Sequence, residues 1–224
     1  NKISKEIPRC FCAFCFDFAA GLSNLTGLLF STLESAMAKK KILIITGDGG
    51  ETYETLFAKH RFMEAGYEPV IAGPTKKRMH LVIHDFEPGW DTYKERPGYE
   101  VVSDTTFDKV KIKDYVAVLC IGGRAPEYLR NDKKCMALIK EGYKLGLWHF
   151  SICHGLQLSA AAGITKGKKV TCYENIRHEV DADGAFYQKQ EAVRDGLIVS
   201  GQTWNSHPEF YQLVFQCLNE KKKK

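Results

Sequence analysis

The sequence lacks an apolar run long enough to cross a membrane. Its most apolar segment, residues 10–33, is interrupted by Asp17 and by Ser, Asn and Thr residues, whereas a transmembrane helix needs about 20 predominantly apolar residues. No membrane partner is therefore expected. Because a Met stands at position 37, we interpret residues 1–38 as an N-terminal extension outside the fold, and a role of this segment in organelle targeting stays open.

A basic surface of the kind that binds nucleic acid is also missing. The 224 residues carry a formal net charge of +5, and the lysines at 221–224 supply four of those charges. Residues 1–36 hold as many acidic as basic side chains, so the remaining body is nearly neutral. It offers no electrostatic footprint for nucleic acid, and residues 220–224 are expected to form a solvated tail.

The cysteines do not have the spacing of a disulfide framework. Scattered thiols, some of them inside apolar strand-like runs, are typical of a reducing compartment, and we expect a cytoplasmic protein. Only one pair has the C-x-x-C spacing, and no second ligand pair follows it, so no metal site is predicted. The eight cysteines are Cys10, Cys12, Cys15, Cys120, Cys135, Cys153, Cys172 and Cys217.

Nucleotide-binding fingerprints are absent as well. The segment Gly47-Asp48-Gly49-Gly50 follows an apolar run and opens a helix. It contains neither GxGxxG nor the GK[ST] of a P-loop, so a tight turn is favoured over a phosphate site. No cofactor is expected.

From Lys41 onward, short apolar runs alternate with helical periodicity. Residues 79–107 are expected to form a hairpin-rich excursion at a sheet edge. The first helix is predicted to turn Leu56, Phe57, His60 and Met63 inward. The alternation predicts one α/β domain over residues 39–219, a doubly wound sandwich with a mainly parallel central sheet. Strands are predicted at 42–46, 67–72, 116–121, 147–152, 169–172 and 197–200, and helices at 51–65, 132–144, 153–162 and 207–218.

Cys153 stands where a predicted strand gives way directly to a helix, in the segment Ser151-Ile152-Cys153-His154-Gly155. This is the arrangement of a nucleophile elbow, in which a sharp turn raises the side chain above the sheet edge and the glycine permits close approach. The helix amino terminus is expected to lower the pKa of the thiol. Free backbone N–H groups of the same turn are able to hold an oxyanion. A buried core cysteine is the alternative.

Carboxylates and histidines at other strand ends are candidates to assist this thiol. Glu51 and Glu54 share a face of the first helix, and we prefer Glu54, whose partly buried carboxyl group should have a raised pKa suited to moving protons. His154 needs an orienting carboxylate, for which Glu127 is a candidate. The segment His207-Pro208-Glu209 is a second option, although Ser206 or His207 also fits the start of the last helix, with Pro208 in its first turn and Glu209 beside it.

Together these residues resemble the PfpI superfamily, which includes intracellular cysteine peptidases, the Parkinson-disease-associated deglycase and glutathione-independent glyoxalases (glyoxalase III). The similarity runs from about Lys41 to Leu218 and implies a flavodoxin-like fold of the class I glutamine amidotransferase type. An insert with His84-Asp85-Phe86-Glu87 and Tyr93 is most similar to one domain of the two-domain plant glyoxalase branch. The motifs that carry the resemblance are Glu51-Thr52-Tyr53-Glu54, Gly122-Gly123-Arg124-Ala125-Pro126-Glu127 and Ile152-Cys153-His154-Gly155.

The resemblance implies roles for individual residues. Cys153 matches the nucleophile, Glu54 the acid that contacts the sulfur, and His154 the histidine of the peptidase-like branch. Glu127 matches a carboxylate that orients this histidine across a subunit contact, so a homo-oligomer is expected. The backbone N–H groups of Gly123 and His154 match the oxyanion donors. Further candidates for a substrate pocket are Gly122, Arg124, Trp204 and His207.

Three functions are open at this point. The favoured one is a glutathione-independent glyoxalase, which converts a small aldehyde such as methylglyoxal or glyoxal to a hydroxy acid, with release of early glycation adducts from proteins as a related activity. The second is amide hydrolysis, by a peptidase or a glutaminase. The third is a non-enzymatic redox sensor, because an exposed thiol of low pKa is readily oxidised.

Overall fold

The computed structural model describes residues 39–220, so the expectations for residues 1–38 and 221–224 lie outside the described residues. The strands are β1 (Lys41–Ile45), β2 (Glu68–Gly73), β3 (Arg78–Asp85), β4 (Lys94–Val102), β5 (Thr105–Thr106), β6 (Tyr115–Cys120), β7 (Trp148–Ile152), β8 (Lys169–Val170), β9 (Phe186–Tyr187), β10 (Ala192–Asp195) and β11 (Ile198–Gly201). The α-helices are α1 (Thr52–Glu64), α2 (Ala125–Leu129), α3 (Lys133–Lys144), α4 (Leu156–Ala161), α5 (Arg177–Ala182) and α6 (His207–Asn219). Within residues 39–220, no helix has the length and apolar composition needed to span a bilayer.

Seven strands form one sheet in the order β10-β11-β7-β6-β1-β2-β5. Every neighbouring pair is parallel except β10 with β11 at one edge. Four consecutive residues of β1, Ile42 to Ile45, are completely buried. Because successive strand side chains point to opposite faces, β1 is covered on both sides. This architecture confirms the predicted doubly wound α/β fold.

The chain winds away from β1 in two directions. Strands β2 and β5 lie on one side of it, and β6, β7 and β11 lie on the other, so the winding reverses between β1 and β6. In sheets of this kind, ligands bind at the carboxyl ends of the strands beside the reversal. The segments after β1 and β6 are joined there, because Glu51 donates its N–H to the carbonyl of Gly122 at 3.2 Å.

Strands β3 and β4 pair with each other as an antiparallel hairpin that lies over the carboxyl end of β1. Val82 donates its N–H to the carbonyl of Gly50 at 2.9 Å, and Gly49 donates to the carbonyl of His80 at 2.7 Å. The expected location at a sheet edge is therefore wrong for the hairpin and holds only for the short strand β5. These backbone bonds bring the hairpin to the point where the winding reverses.

The buried face of α1 differs from the predicted one. Met63, which was expected to face inward, is 53% exposed. Apolar spacing indicated the wrong face because the first turns of the helix bury polar groups that find partners inside the protein. Thr55 Oγ1, for example, donates to the carbonyl of Glu51 at 2.7 Å. The buried residues of the helix are Thr52, Glu54, Thr55, Ala58 and Phe62.

Two further elements depart from the sequence prediction. The strand expected at 169–172 is reduced to Lys169–Val170, which pairs with Phe186–Tyr187 outside the main sheet. The helix expected at 153–162 begins as a 3-10 turn, Cys153–Gly155, before α4. The 3-10 turn begins at Cys153, whose positive φ of 56° does not fit the start of a regular α-helix.

Candidate active site

Cys153 occupies a strained turn at the end of β7. Its φ of 56° makes it the one non-glycine residue with positive φ between residues 39 and 220, in a region that costs an L-residue about 1 kcal/mol or more. Two glycines make room for it. A Cβ on Gly122 would lie 2.7 Å from the Cys153 Cβ, and one on Gly155 would lie 2.2 Å from the Cys120 carbonyl oxygen. The predicted nucleophile elbow therefore has the local geometry that the motif requires.

Two backbone N–H groups point at the Cys153 sulfur, those of His154 and Gly123. Gly123 adopts a φ of 75°, and a Cβ there would lie 2.3 Å from the carbonyl oxygen of Gly49. Only glycine fits this position, where the turn after β6 meets the turn after β1. The close approach aims the Gly123 amide at the sulfur.

Two buried carboxyl groups lie next to the sulfur. Glu54 is completely buried, its Oε2 accepts the Gly122 N–H at 2.7 Å, and its carboxyl group is hydrogen-bonded to Cys153. Glu51 caps α1 and accepts the N–H of Glu54 at 2.6 Å. Burial raises the pKa of Glu51 to about 7. Burial, followed by the charge of Glu51, raises the pKa of Glu54 well above its usual range, so Glu54 keeps its proton to higher pH than an ordinary carboxyl group does.

The electrostatics of Cys153 correct one expectation from the sequence. The side chain is buried, with 3% exposure. Burial and then the charge of Glu54 raise the pKa of the thiol, and the backbone N–H groups of His154 and Gly123 oppose this only in part. The expected low pKa is therefore wrong, because the dipole of the short helix α4 is weaker than the loss of hydration. The resting sulfur carries its proton.

A neutral imidazole lies within reach of that proton. The Nδ1 atom of His154 lies 3.4 Å from the Cys153 Sγ. Burial, and then the neighbouring His84, lower the pKa of His154 to about 4, so the ring is uncharged near neutral pH. Tyr93 and Tyr173 surround it, with ring centroids at 5.7 and 5.0 Å. His154 can therefore take a proton from the thiol as attack begins.

The remaining pocket candidates lie at different distances from the sulfur. Gly122 contacts Glu54 directly, whereas Arg124 is half exposed and pairs with Glu95. The indole N–H of Trp204 donates to the carbonyl of His84 at 2.8 Å. The structure thus brings Gly122 next to Glu54, whereas Arg124 and Trp204 contact Glu95 and His84 of the neighbouring hairpin.

His207 is buried in an aromatic cluster formed by α1 and α6. Its ring stacks on Phe57 at 4.6 Å between centroids and packs against Tyr53 and Tyr211. Burial lowers its pKa to about 4. Among the described residues, no hydrogen bond or ring contact joins His207 to Cys153 or His154. It is not placed to act as the base of a glutaminase.

A model of the DJ-1/PfpI family matches residues 40–216. The chain belongs to the DJ-1/PfpI family. It is 37% identical over 188 residues to protein DJ-1 homolog D of Arabidopsis thaliana, covering 81% of this chain and 48% of that protein. It therefore spans about half the length of that relative.

Other members of the DJ-1/PfpI family are similar over most of their length. Deglycase TK1284 of Thermococcus kodakarensis is 36% identical over 162 residues, which are 72% of this chain and 89% of that protein. The crystal structure of Drosophila melanogaster DJ-1beta superposes with a TM-score of 0.69 at 19% identity, covering 82% of this chain and 92% of that one. The structural match bears on the fold.

Glu127 is the residue for which the family resemblance implies a role across a subunit contact. It is exposed in the first turn of α2. Within residues 39–220 of one chain, no hydrogen bond joins its carboxylate to His154. Its charge nonetheless reaches His84 and Tyr93. Orientation of His154 by Glu127 stays a prediction about an assembly.

The sequence prediction missed a second histidine beside the site. His84 is 1% exposed, bonds through Nε2 to Glu95 at 3.0 Å, and stacks on Tyr93 with ring centroids 3.7 Å apart. Its ring lies 6.2 Å from that of His154. His84 and Tyr93 stood in the insert that resembles the plant branch, but strand periodicity contained no signal of where the hairpin docks.

Proposed function

We propose that this chain is a cofactor-independent glyoxalase that converts small 2-oxoaldehydes such as methylglyoxal to 2-hydroxy acids. The observation that carries the proposal is the set of groups around one sulfur. The carboxyl group of Glu54 is hydrogen-bonded to it, the neutral His154 ring lies 3.4 Å away, and two backbone N–H groups point at it. These groups would supply the nucleophile, the acid, the base and the oxyanion donors from one chain.

In the first step, the thiol proton passes to His154 Nδ1 while the sulfur attacks the aldehyde carbon. Glu54 delivers its proton to the aldehyde oxygen, which gives a hemithioacetal and leaves Glu54 ionised. The N–H groups of Gly123 and His154 would stabilise negative charge on that oxygen as the S–C bond forms.

In the second step, the Glu54 carboxylate removes the hydrogen from the former aldehyde carbon, and the protonated His154 gives its proton to the neighbouring ketone oxygen. The resulting enediol takes the proton back from Glu54 at the neighbouring carbon. Loss of the remaining hydroxyl proton to Glu54 leaves a thioester of Cys153. One carbon is oxidised and the next reduced, so the step needs no external redox agent, and water then releases the hydroxy acid.

Enclosure of the sulfur favours a small substrate. Cys153 is 3% exposed and His154 is 5% exposed, and Tyr93 and Tyr173 pack around the imidazole. A free dicarbonyl has only a few heavy atoms and fits such a site, whereas a polypeptide segment would have to displace the aromatic side chains. This supports the aldehyde over a peptide substrate.

Release of glycation adducts from macromolecules is the second candidate activity. It is favoured by the names of relatives, among them deglycase TK1284 of Thermococcus kodakarensis and protein/nucleic acid deglycase 2 of Escherichia coli. The same sulfur would attack the carbon of an early adduct. In the glyoxalase proposal, adducts disappear only as fast as they release free aldehyde spontaneously. Disappearance faster than that rate would favour the deglycase instead.

Lactate formation from methylglyoxal in glutathione-free buffer tests the proposal. We expect turnover by the purified chain, and loss of that turnover when Cys153 is alkylated beforehand. Absence of lactate, or lactate formed at the same rate after alkylation of Cys153, would reject the mechanism.

A further inference from the structure

A cavity lies beside the groups that surround Cys153. It has a volume of about 300 Å³ and is lined mainly by apolar and aromatic side chains. Cys153, His154 and Glu54 are not among its lining residues. Two residues, Glu51 and His84, belong both to its wall and to the surroundings of the sulfur. The other lining residues are Thr52, Tyr53, Leu56, Ile83, Asp85, Tyr99 and Trp204.

His84 lies between groups of the site and groups of the cavity wall. The ring contacts Tyr93, and it lies 6.2 Å from the ring of His154, whose Nδ1 is 3.4 Å from the Cys153 sulfur. The residue also lines the cavity. His84 is 1% exposed, so a single buried ring belongs both to the cavity wall and to the surroundings of His154.

The ring is held from several directions. Nε2 bonds to Glu95 at 3.0 Å, and Glu95 is paired with Arg124. Tyr93 stacks on the ring with an interplanar angle of 14°, and the Trp204 indole binds the His84 carbonyl. A side chain fixed by stacking, a charge-assisted bond and a backbone anchor does not swing aside to admit a larger substrate.

We propose that His84 is a specificity-determining residue, whose ring closes the reacting centre off from the adjacent cavity and so restricts the site to small 2-oxoaldehydes. The inference rests on the proposed function for the identity of the substrate. The partition itself is a property of the cavity and can be tested without turnover. A smaller side chain at position 84 joins the two compartments and admits an aromatic group next to Cys153.

The first experiment measures access to the sulfur alone. Cys153 is alkylated with iodoacetamide and with N-benzyl iodoacetamide, and the two rates are followed by peptide mass spectrometry. The wild type should react far faster with the small reagent. His84→Ala should raise the relative rate of the benzyl reagent by about 10-fold or more, the scale of discrimination that a few methylene-sized contacts give. An unchanged ratio would overturn the proposal, whether or not the chain turns over aldehydes.

Three variants separate the bulk of the ring from its hydrogen bond and from general loosening. His84→Phe keeps the bulk and loses the bond to Glu95, so the rate ratio should stay near that of the wild type. In His84→Ala, the added change Leu56→Trp fills the cavity and should cancel the gain. His80→Ala removes an exposed histidine from the same strand and should change nothing. A gain in His84→Phe, or a gain that survives Leu56→Trp, would contradict the partition.

The second experiment uses turnover. The ratio of kcat/KM for phenylglyoxal to that for methylglyoxal should rise by about 10-fold or more in His84→Ala and not in His84→Phe. If the wild type turns over neither aldehyde, the proposed function fails while the alkylation result still decides the partition. If the wild type is active but neither the alkylation ratio nor the kcat/KM ratio changes in His84→Ala, the partition is wrong and the proposed function stands.

Discussion

Cys120 and Cys153 lie at the ends of neighbouring parallel strands, yet only one is equipped to react. Both are buried, at 1% and 3% exposure, and burial raises the pKa of both thiols. Cys120 is extended within β6 and meets the hydroxyls of Ser151 and Ser159. Cys153 stands on a strained turn and meets a carboxylic acid, an imidazole and two backbone N–H groups. Neither burial nor a shifted pKa distinguishes the proposed nucleophile from Cys120; its hydrogen-bonding partners do.

The largest expected effect is the difference between the two cysteines in turnover. Cys153→Ala should lower glutathione-independent lactate formation by about 10⁴-fold, to the level left by binding and preorganised dipoles. Cys120→Ala, the matched change one strand away, should keep most of the activity and lose about 1–2 kcal/mol of stability for the lost contacts. Steady-state kinetics measure the activity of each variant, and thermal unfolding measures its stability. Equal losses of activity in the two variants would show that Cys153 has no special role in turnover.

The next effect concerns the acid that Cys120 lacks. Glu54→Gln keeps the acceptor for the Gly122 N–H but cannot move a proton, so kcat should fall by about 100-fold or more while KM changes little. Glu51→Gln is the comparison, because it removes the other buried carboxylate and keeps the cap of α1. It should lower kcat by less than about 10-fold. If the order of the two losses is reversed, Glu51 and not Glu54 is the proton carrier.

The sequence indicated the proposed nucleophile and its proposed acid because both follow from local patterns. A strand that stops at Ile152 and a helix that starts at once define an elbow, and Glu54 lies one turn into the helix after β1. The fold was predictable for the same reason, since the apolar runs at 42–46 and 116–121 match the buried strands β1 and β6. These features depend on neighbours in the chain.

Features that depend on distant parts of the chain were not predictable. The pKa of Cys153 was expected to fall because the helix dipole is local, whereas the desolvation that raises it comes from residues far apart in sequence. The His84–Glu95 pair was missed because it exists only once the hairpin docks over β1. Apolar spacing predicted the wrong inner face of α1. The reason is that Glu54 is buried through its contacts with Gly122 and Cys153, which apolar spacing does not detect.

A further prediction concerns stability. It tests the contact between Gly155, which follows β7, and the carbonyl of Cys120 at the end of β6. Gly155 has a φ of −56°, which suits any residue, but a Cβ there would lie 2.2 Å from the Cys120 carbonyl oxygen. Gly155→Ala should therefore destabilise the protein by about 3 kcal/mol through overpacking. Gly163, just beyond the same helix, has a φ of 69° and open space around it. The change Gly163→Ala should therefore lower the free energy of unfolding by only about 1 kcal/mol. If chemical denaturation gives equal losses of stability in the two variants, the backbone near Cys120 moves to accommodate the added methyl group and the close contact does not constrain position 155.

The last effect is a dependence of stability on pH that arises from Glu51, a carboxyl group beside Cys153 that has no counterpart beside Cys120. The pKa of Glu51 is raised by burial from its usual value of 4.5 to about 7 in the folded chain. A folded state that holds its proton more tightly than the unfolded state is favoured at low pH, so this contribution is complete below about pH 4.5 and is lost as pH rises through about 7. The urea midpoint should therefore fall between pH 5 and pH 8, and the fall should be smaller in Glu51→Gln, which has no carboxyl group to ionise at that position. A variant with the same slope as the wild type would assign the titration to another group, with Glu54 the first to test.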